Sequence, residues 1–257
     1  MIVTTCLRPD NSIIDRAIGV AKDLDTTFEK RNDLSIAEMH NVFNSPILVV
    51  GKKRLELFTQ HSNEPFFFHP NSAVFRIRRL LNGEHDPFCD ACSLEEGDSL
   101  LDCTLGLASD SIVASFRVGE KGRVIGLEKN KTIAYIVKEG IKTDQQNIEN
   151  WNEILNRIEV NHVDHLAFLK KQKDNSIDVI YFDPMFQEEI NESNGIKKIK
   201  PLAEYDSILE ETIEEAKRVA SKKVVLKDHF RSDRFKKYGF HQLIRKSAQF
   251  HFGYIEL

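Results

Sequence analysis

From about residue 97, short apolar runs alternate with amphipathic stretches, and no other feature constrains the fold of this chain as tightly. Strand-like runs at 99–103, 123–128, 157–160, 177–183 and 222–227 are separated by helical patterns near 108–117, 130–140, 164–171 and 205–220. Such a βαβ succession requires a parallel sheet covered by helices on both faces. Ile177-Asp178-Val179-Ile180-Tyr181-Phe182, bounded by Asn175-Ser176 and Pro184, reads as a central strand of that sheet. Segments 240–247 and 249–256 alternate polar and apolar residues and predict a terminal antiparallel pair, giving seven strands with the last pair reversed.

Residues 1–68 predict a separate small α/β unit ahead of a larger domain at 69–257. Ile2–Thr5 reads as a strand and Asp15–Leu24 as a short amphipathic helix. Ser35-Ile36-Ala37-Glu38 is a capping box that opens a helix running through Val42-Phe43. Ile47–Val50 and Arg54–Phe58 read as a hairpin around Gly51. Pro65–Asn71 breaks the pattern before a helix carrying Val74, Phe75, Ile77, Leu80 and Leu81, after which Asn82–Pro87 reads as a loop.

Hydrophobic content of 41% with 30% charged residues belongs to a globular domain. No apolar run approaches the ~20 residues of a membrane span, and the amino terminus has no signal-peptide core, so a cytoplasmic protein with no membrane partner is expected. Cys6, Cys89, Cys92 and Cys103 are too few and too irregular for a disulfide framework. Cys89-x-x-Cys92 lacks a second pair at zinc spacing, although His69 and His85 precede it; two thiols in a connecting loop, with no metal, are expected. Net charge is −4 overall, but residues 91–196 balance at −8 and residues 197–257 at +5. A basic carboxyl-terminal segment, with Lys197, Lys198 and Lys200, suits a phosphate backbone; a solvated surface gives the same counts. Arg76, Arg78 and Arg79 stand in the same choice between phosphate and water.

The chemistry-bearing residues fall at the expected carboxyl ends of strands, where open α/β sheets hold ligands. Gly106, in Asp102-Cys103-Thr104-Leu105-Gly106-Leu107-Ala108-Ser109-Asp110, lets the backbone approach a ligand beside a helix start. The segment lacks the glycines of a dinucleotide fingerprint. Glu128 ends the second strand, where a carboxylate either accepts both hydroxyls of a ribose or caps the next helix. Asp164 follows the third strand and suits an adenine amine, a helix N-cap, or both. In Asp183-Pro184-Met185-Phe186, a carboxylate and the carbonyl of a fixed-φ proline can accept the two N–H groups of an exocyclic amine while the ring holds a base plane. Lys227 and His229, near the end of the fifth strand, either touch base or phosphate or are structural.

Four segments together carry a family resemblance: 102–110, Leu127-Glu128-Lys129-Asn130, 181–186, and the run from Ala216 to Lys227. They resemble the RsmJ group of small-subunit rRNA guanine-N2 methyltransferases and their YpiP-type relatives, over about residues 70–230. The resemblance implies a Rossmann-like, seven-stranded class I methyltransferase sheet, S-adenosylmethionine (SAM) as cofactor and rRNA as substrate. It also implies cofactor contacts at Asp102, Thr104, Gly106, Asp110, Glu128, Lys129 and Asp164, with Asp102 meeting the methionine ammonium. Asp183, Pro184 and Phe186 would orient the accepting amine. Ala108 replaces a second glycine common in the family, and Gln187 replaces a proline after the aromatic residue. Methylation of a small molecule or protein, and an RNA-binding module without catalysis, are the competing readings.

Overall fold

A computed structural model describes residues 1–60, 64–184 and 210–257. The described residues group into two compact units: Met1–His69 together with residues 131–143, and a second unit of residues 70–130, 144–184 and 210–257.

The first unit carries a four-stranded sheet in the order β2-β1-β3-β4. Strands β1 (Ile2–Thr5), β2 (Thr27–Phe28) and β3 (Ile47–Val50) are parallel, and β4 (Leu55–Phe58) forms the expected hairpin with β3. Helix α1 (Asn11–Asp23) starts earlier than its apolar period suggested, because Asp10 caps it by accepting from the Ile13 amide at 3.0 Å. The capping box of α2 (Ile36–Phe43) is formed in both directions, Glu38 N to Ser35 Oγ at 3.2 Å and Ser35 N to Glu38 Oε2 at 2.7 Å. Ile2, Met39, Ile47 and Val49 form the core between sheet and helix.

The second unit begins with α3 (Asn71–Leu81) and α4 (Pro87–Cys92). It continues through β5 (Ser99–Asp102), α5 (Ser109–Val118) and β6 (Arg123–Glu128). Helix α6 (Lys131–Thr143) groups with the first unit, where the Tyr135 hydroxyl donates to Asp23 at 2.9 Å. The chain goes on through α7 (Trp151–Asn156), β7 (Ile158–His162), α8 (His165–Leu169) and β8 (Ile177–Phe182). It ends with α9 (Glu210–Val219), β9 (Ala220–His229), α10 (Arg234–Lys237), β10 (His241–Leu243) and β11 (Phe250–Glu256).

These strands make one seven-stranded sheet in the order β10-β11-β9-β8-β5-β6-β7, the Rossmann-like arrangement expected from the motifs. The central strands β5, β6, β8 and β9 are apolar because helices cover both faces, and Leu101, Ile125, Ile180, Phe182 and Val224 share one core. Of the terminal pair only β11 is reversed: it runs antiparallel to both β9 and β10, so β10 points with the parallel strands, contrary to the expectation for the pair.

Helices α4 and α7 were not evident from periodicity, since six residues span less than two turns. Cys89 and Cys92 therefore do not lie in a connecting loop. Both are buried in α4, where burial pushes the Cys89 thiol up to about 12. Among the described residues, no group of three His, Cys, Asp or Glu is placed to hold a metal. Among them, too, no helix is long and apolar enough to cross a membrane.

Candidate active site

Strand registry levels the carboxyl ends of the central strands. Asp102 pairs with Tyr181 on one side and Gly126 on the other, Glu128 pairs with His162, and Phe182 pairs with Leu226. Asp183 after β8, Asp102 on β5, Glu128 on β6 and Asp164 after β7 therefore stand on four consecutive strand ends. Three strand spacings of ~4.8 Å make this a row ~14 Å long.

Asp183 is held from two directions. Its backbone amide donates to Thr104 Oγ1 at 2.6 Å, tying the end of β8 to the loop after β5. Its Oδ2 accepts from Lys227 Nζ at 2.5 Å, and Lys227 reaches this position because β9 lies beside β8. The same ammonium lies 3.6 Å from Asp110 Oδ2. Asp110, in the first turn of α5, accepts from Arg76 at Oδ1 and from the Tyr181 hydroxyl at Oδ2, at 2.5 and 2.8 Å. Arg76 in turn grips Asp86, the N-cap of α4, through two contacts of 2.7 Å. A continuous polar chain thus runs Asp86–Arg76–Asp110–Lys227–Asp183.

The electrostatics follow from burial working against these partners. Burial raises the Asp110 carboxyl, but Lys227 and Arg76 outweigh it and hold the group well below the usual carboxylate range. Burial pushes Asp183 up, against the pull of Lys227. Burial also disfavours the Lys227 ammonium, yet Asp183 and Asp110 overcome that and keep it charged. One cation is shared by two carboxylates, which otherwise repel.

Asp102 is different. Only 2% exposed, its carboxylate accepts from Ser111 Oγ at 2.7 Å and from the Thr104 amide at 3.0 Å, both neutral donors. Burial raises it to about 7, with Asp110 and Asp183 adding to the rise and the two hydrogen bonds opposing it. A ligand cation would supply the charge that Asp102 lacks. The adjoining loop takes left-handed backbone at Gly106 (φ 49°) and at Ala108 (φ 60°), a conformation that favours glycine. Leu105 fixes this loop against β6, with its amide on Leu127 O at 2.9 Å and its side chain over Gly126, where a Cβ would collide with it.

Glu128 Oε1 accepts from the Asn130 amide at 2.9 Å, and the exposed Lys129 meets His162 through its carbonyl at 3.0 Å. Asp164 is the N-cap of α8, with Oδ1 accepting from Ala167 N at 2.9 Å. The expected residues are thus divided. Asp102, Thr104, Asp110 and Asp183 form one cluster with Lys227, joined by hydrogen bonds and, at Asp110, by an ion pair. Glu128, Lys129 and Asp164 extend the row along β6 and β7. Pro184 is buried directly after Asp183, while Phe186, Gln187, Lys197, Lys198 and Lys200 lie outside the described residues.

Arg76 is removed from the candidates for gripping phosphate, because both of its ends are spent on buried carboxylates. Lys227 is bonded to Asp183, and His229 packs against Phe230 and Phe250 at ring-centroid distances of 4.6 and 6.3 Å. Sequence reading missed the Arg76–Asp110–Lys227 linkage; the available signal was a cation at the end of the apolar run Val224-Val225-Leu226, which is costly unless paired.

Comparison with known proteins assigns the family. Residues 30–249 match the family described as "Putative SAM-dependent methyltransferase". YpiP of Bacillus subtilis (strain 168), an uncharacterised protein, is 45% identical over 256 residues, covering 99% of both chains. Ribosomal RNA small subunit methyltransferase J of Cronobacter sakazakii is 27% identical over 199 residues, 73% of this chain and 77% of the relative. The Acinetobacter baumannii (strain SDF) protein of the same name is 31% identical over 110 residues, but these span only 42% of this chain and 38% of that one. Among solved structures, a SAM-dependent methyltransferase from Neisseria gonorrhoeae has the same fold, with a TM-score of 0.62 at 15% identity over 100% of this chain and 96% of the other. The chain belongs to this family: it is a class I SAM-dependent methyltransferase of the group that holds YpiP and small-subunit rRNA methyltransferase J, and its cofactor is S-adenosylmethionine.

Proposed function

We propose that this enzyme transfers the methyl group of SAM to an exocyclic amine of an rRNA base, guanine N2 by the resemblance of its motifs. The observation that carries the reading is the state of Asp183. Its carboxylate stands at the carboxyl end of a buried strand and, among the described residues, spends one oxygen on Lys227. The other oxygen and the Pro184 carbonyl are left to accept the two N–H groups of an amine; stacking on the base is assigned to Phe186, which lies outside the described residues. The relatives named small-subunit rRNA methyltransferase J support RNA as the acceptor.

The row of carboxylates supports an assignment of the cofactor's donors in order. Asp102 would receive the methionine ammonium, Glu128 the ribose hydroxyls and Asp164 the adenine amine through the oxygen not used for capping. Thr104, Gly106 and Lys129 complete the surface around them. Asp110 contributes at one remove, through the Lys227 ammonium that it shares with Asp183. Bound SAM supplies a methyl on a sulfonium, already a good leaving group. The protein's task is therefore positioning: fixing the amine for in-line approach and holding its lone pair away from water.

The test is methyl transfer by purified protein to small-subunit RNA from cells lacking the enzyme, with labelled SAM. Label should enter the RNA with wild type. Asp183→Ala should bind SAM within about threefold of wild type yet lose at least ~100-fold in transfer, ~2.7 kcal/mol of barrier. Transfer by Asp183→Ala within threefold of wild type removes the carboxylate from the mechanism. Label entering a small amine but no RNA favours a small-molecule acceptor.

A further inference from the structure

A cavity of about 220 Å³ in the first unit plays no part in the site above. It lies between the carboxyl ends of β1 and β2, beside the first turns of α1. Its lining combines apolar Ile14 and Phe28 with three cations, Arg8, Lys30 and Arg31, against one acid, Asp33, among the described residues. The topology gives this position meaning. From β1 the chain passes to β2 on one side, then returns past β1 to β3 on the other. Right-handed crossovers in opposite directions send the connections after β1 and β2 to opposite faces. The cavity stands at the carboxyl ends of two parallel strands, the edge at which open α/β sheets hold ligands.

Two further observations point to an anion. Arg31 is immobilised by its own hydrogen bonds, Nε to Leu34 O at 3.0 Å and Nη1 to Thr5 O at 3.2 Å. Its guanidinium plane is fixed while Nη2 has no hydrogen bond among the described residues, a preorganised donor of the kind that recognises phosphate. Arg8, Asn32 and Asp33 all hold left-handed backbone, at φ 53°, 47° and 60°. Asparagine and aspartate adopt it readily, but at Arg8 it is strained, and strain of that kind concentrates at ligand sites, where the surroundings enforce it. The volume is below the ~300–1,000 Å³ of pockets that take a whole drug-sized ligand, so the cavity suits a group rather than a cofactor.

We propose that this cavity binds a phosphate of the RNA backbone, giving the first unit a role in holding the substrate. The inference rests on the reading that the acceptor is RNA. Arg31 Nη2 and the exposed Arg8 and Lys30 meet the phosphate oxygens, and the contact positions the RNA without reading its sequence.

The experiment uses the full chain and a fluorescein-labelled, single-stranded oligoribonucleotide of mixed sequence, followed by anisotropy across a salt series. Arg8→Asn with Lys30→Gln removes two charges, and asparagine tolerates the left-handed backbone at position 8. This double variant should bind about tenfold more weakly at ~0.1 M salt, with a log–log salt slope shallower by about 1. SAM affinity and the unfolding midpoint should match wild type. Lys52→Gln with Lys53→Gln removes equal charge from the hairpin turn and should leave affinity within about twofold. Equal weakening by the two double variants, or none by either, overturns the proposal while leaving RNA methylation intact. Wild type that neither binds the oligonucleotide nor methylates small-subunit RNA overturns the RNA substrate and this site together. Inorganic phosphate that binds at Arg8 and Lys30 without competing with the oligonucleotide assigns the cavity to a free phosphorylated compound, which also overturns the proposal.

Discussion

Replacing Lys227 by methionine tests the polar chain at its junction. The substitution keeps the length of the side chain and removes the ammonium that lies 2.5 Å from Asp183 and 3.6 Å from Asp110. Losing one partner of a buried ion pair costs about 3–5 kcal/mol. Lys227 and Asp183 are 25% and 24% exposed, so water softens the loss, and about 2–3 kcal/mol is the better expectation. Asp110 retains Arg76 and Tyr181, which leaves Asp183 to bear most of it. Removing a cation disfavours the ionised carboxylate, so the Asp183 pKa rises further. On the proposed mechanism transfer uses the ionised carboxylate, and the acid limb of the kcat profile should therefore move to higher pH. Activity is lost at neutral pH and partly recovered at alkaline pH, while Lys227→Arg stays near wild type. The assay is single-turnover methyl transfer from pH 5 to 10, with unfolding measured on each variant. A folded Lys227→Met enzyme whose acid limb stays within ~0.3 units of wild type would refute the claim that Lys227 governs Asp183.

Three other outcomes follow from the same geometry. Asp102, raised to about 7 by burial, should ionise fully when a cation arrives, so SAM binding near pH 6.5 should release a proton, tighten as pH rises towards 7 and then level; calorimetry in two buffers of different ionisation enthalpy measures this, and Asp102→Asn should abolish the release. Glu128→Ala should weaken SAM by about 1.5–3 kcal/mol through loss of a charge-assisted contact, read by titration calorimetry. Arg76→Met should destabilise the fold by about 3 kcal/mol at neutral pH, because Asp86 and Asp110 are left buried and ionised; Asp110 is held below the ordinary carboxylate range, so denaturant curves should show this loss shrinking as acid protonates both groups.

The parallel core was legible because β5, β6, β8 and β9 are buried on both faces and so read as short apolar runs between helical periods. What escaped was short or non-local. Helix α4 begins at Asp86-Pro87, a capping signal followed by too few residues for a period to develop. The cavity at Arg8, Lys30 and Arg31 arises only when the turns after β1 and β2 come together. The strand-end carboxylates could be ranked from sequence, since each follows an apolar run, but their partners could not. Lys227 meets Asp183 across 44 residues and Arg76 meets Asp110 across 34, and no local pattern announces either pairing. Arg76 illustrates the difference: on a helix with an exposed face it reads as a surface cation, whereas the fold turns it between two carboxylates.

Nucleoside mass spectrometry of small-subunit rRNA, from a deletion strain and its parent, bears most directly on the central claim. The deletion strain should lack one base-methylated nucleoside, N2-methylguanosine by the resemblance of the motifs. Wild-type protein should restore it and Asp183→Ala should not. Identical sets of methylated nucleosides in the two strains would contradict an rRNA base as the acceptor.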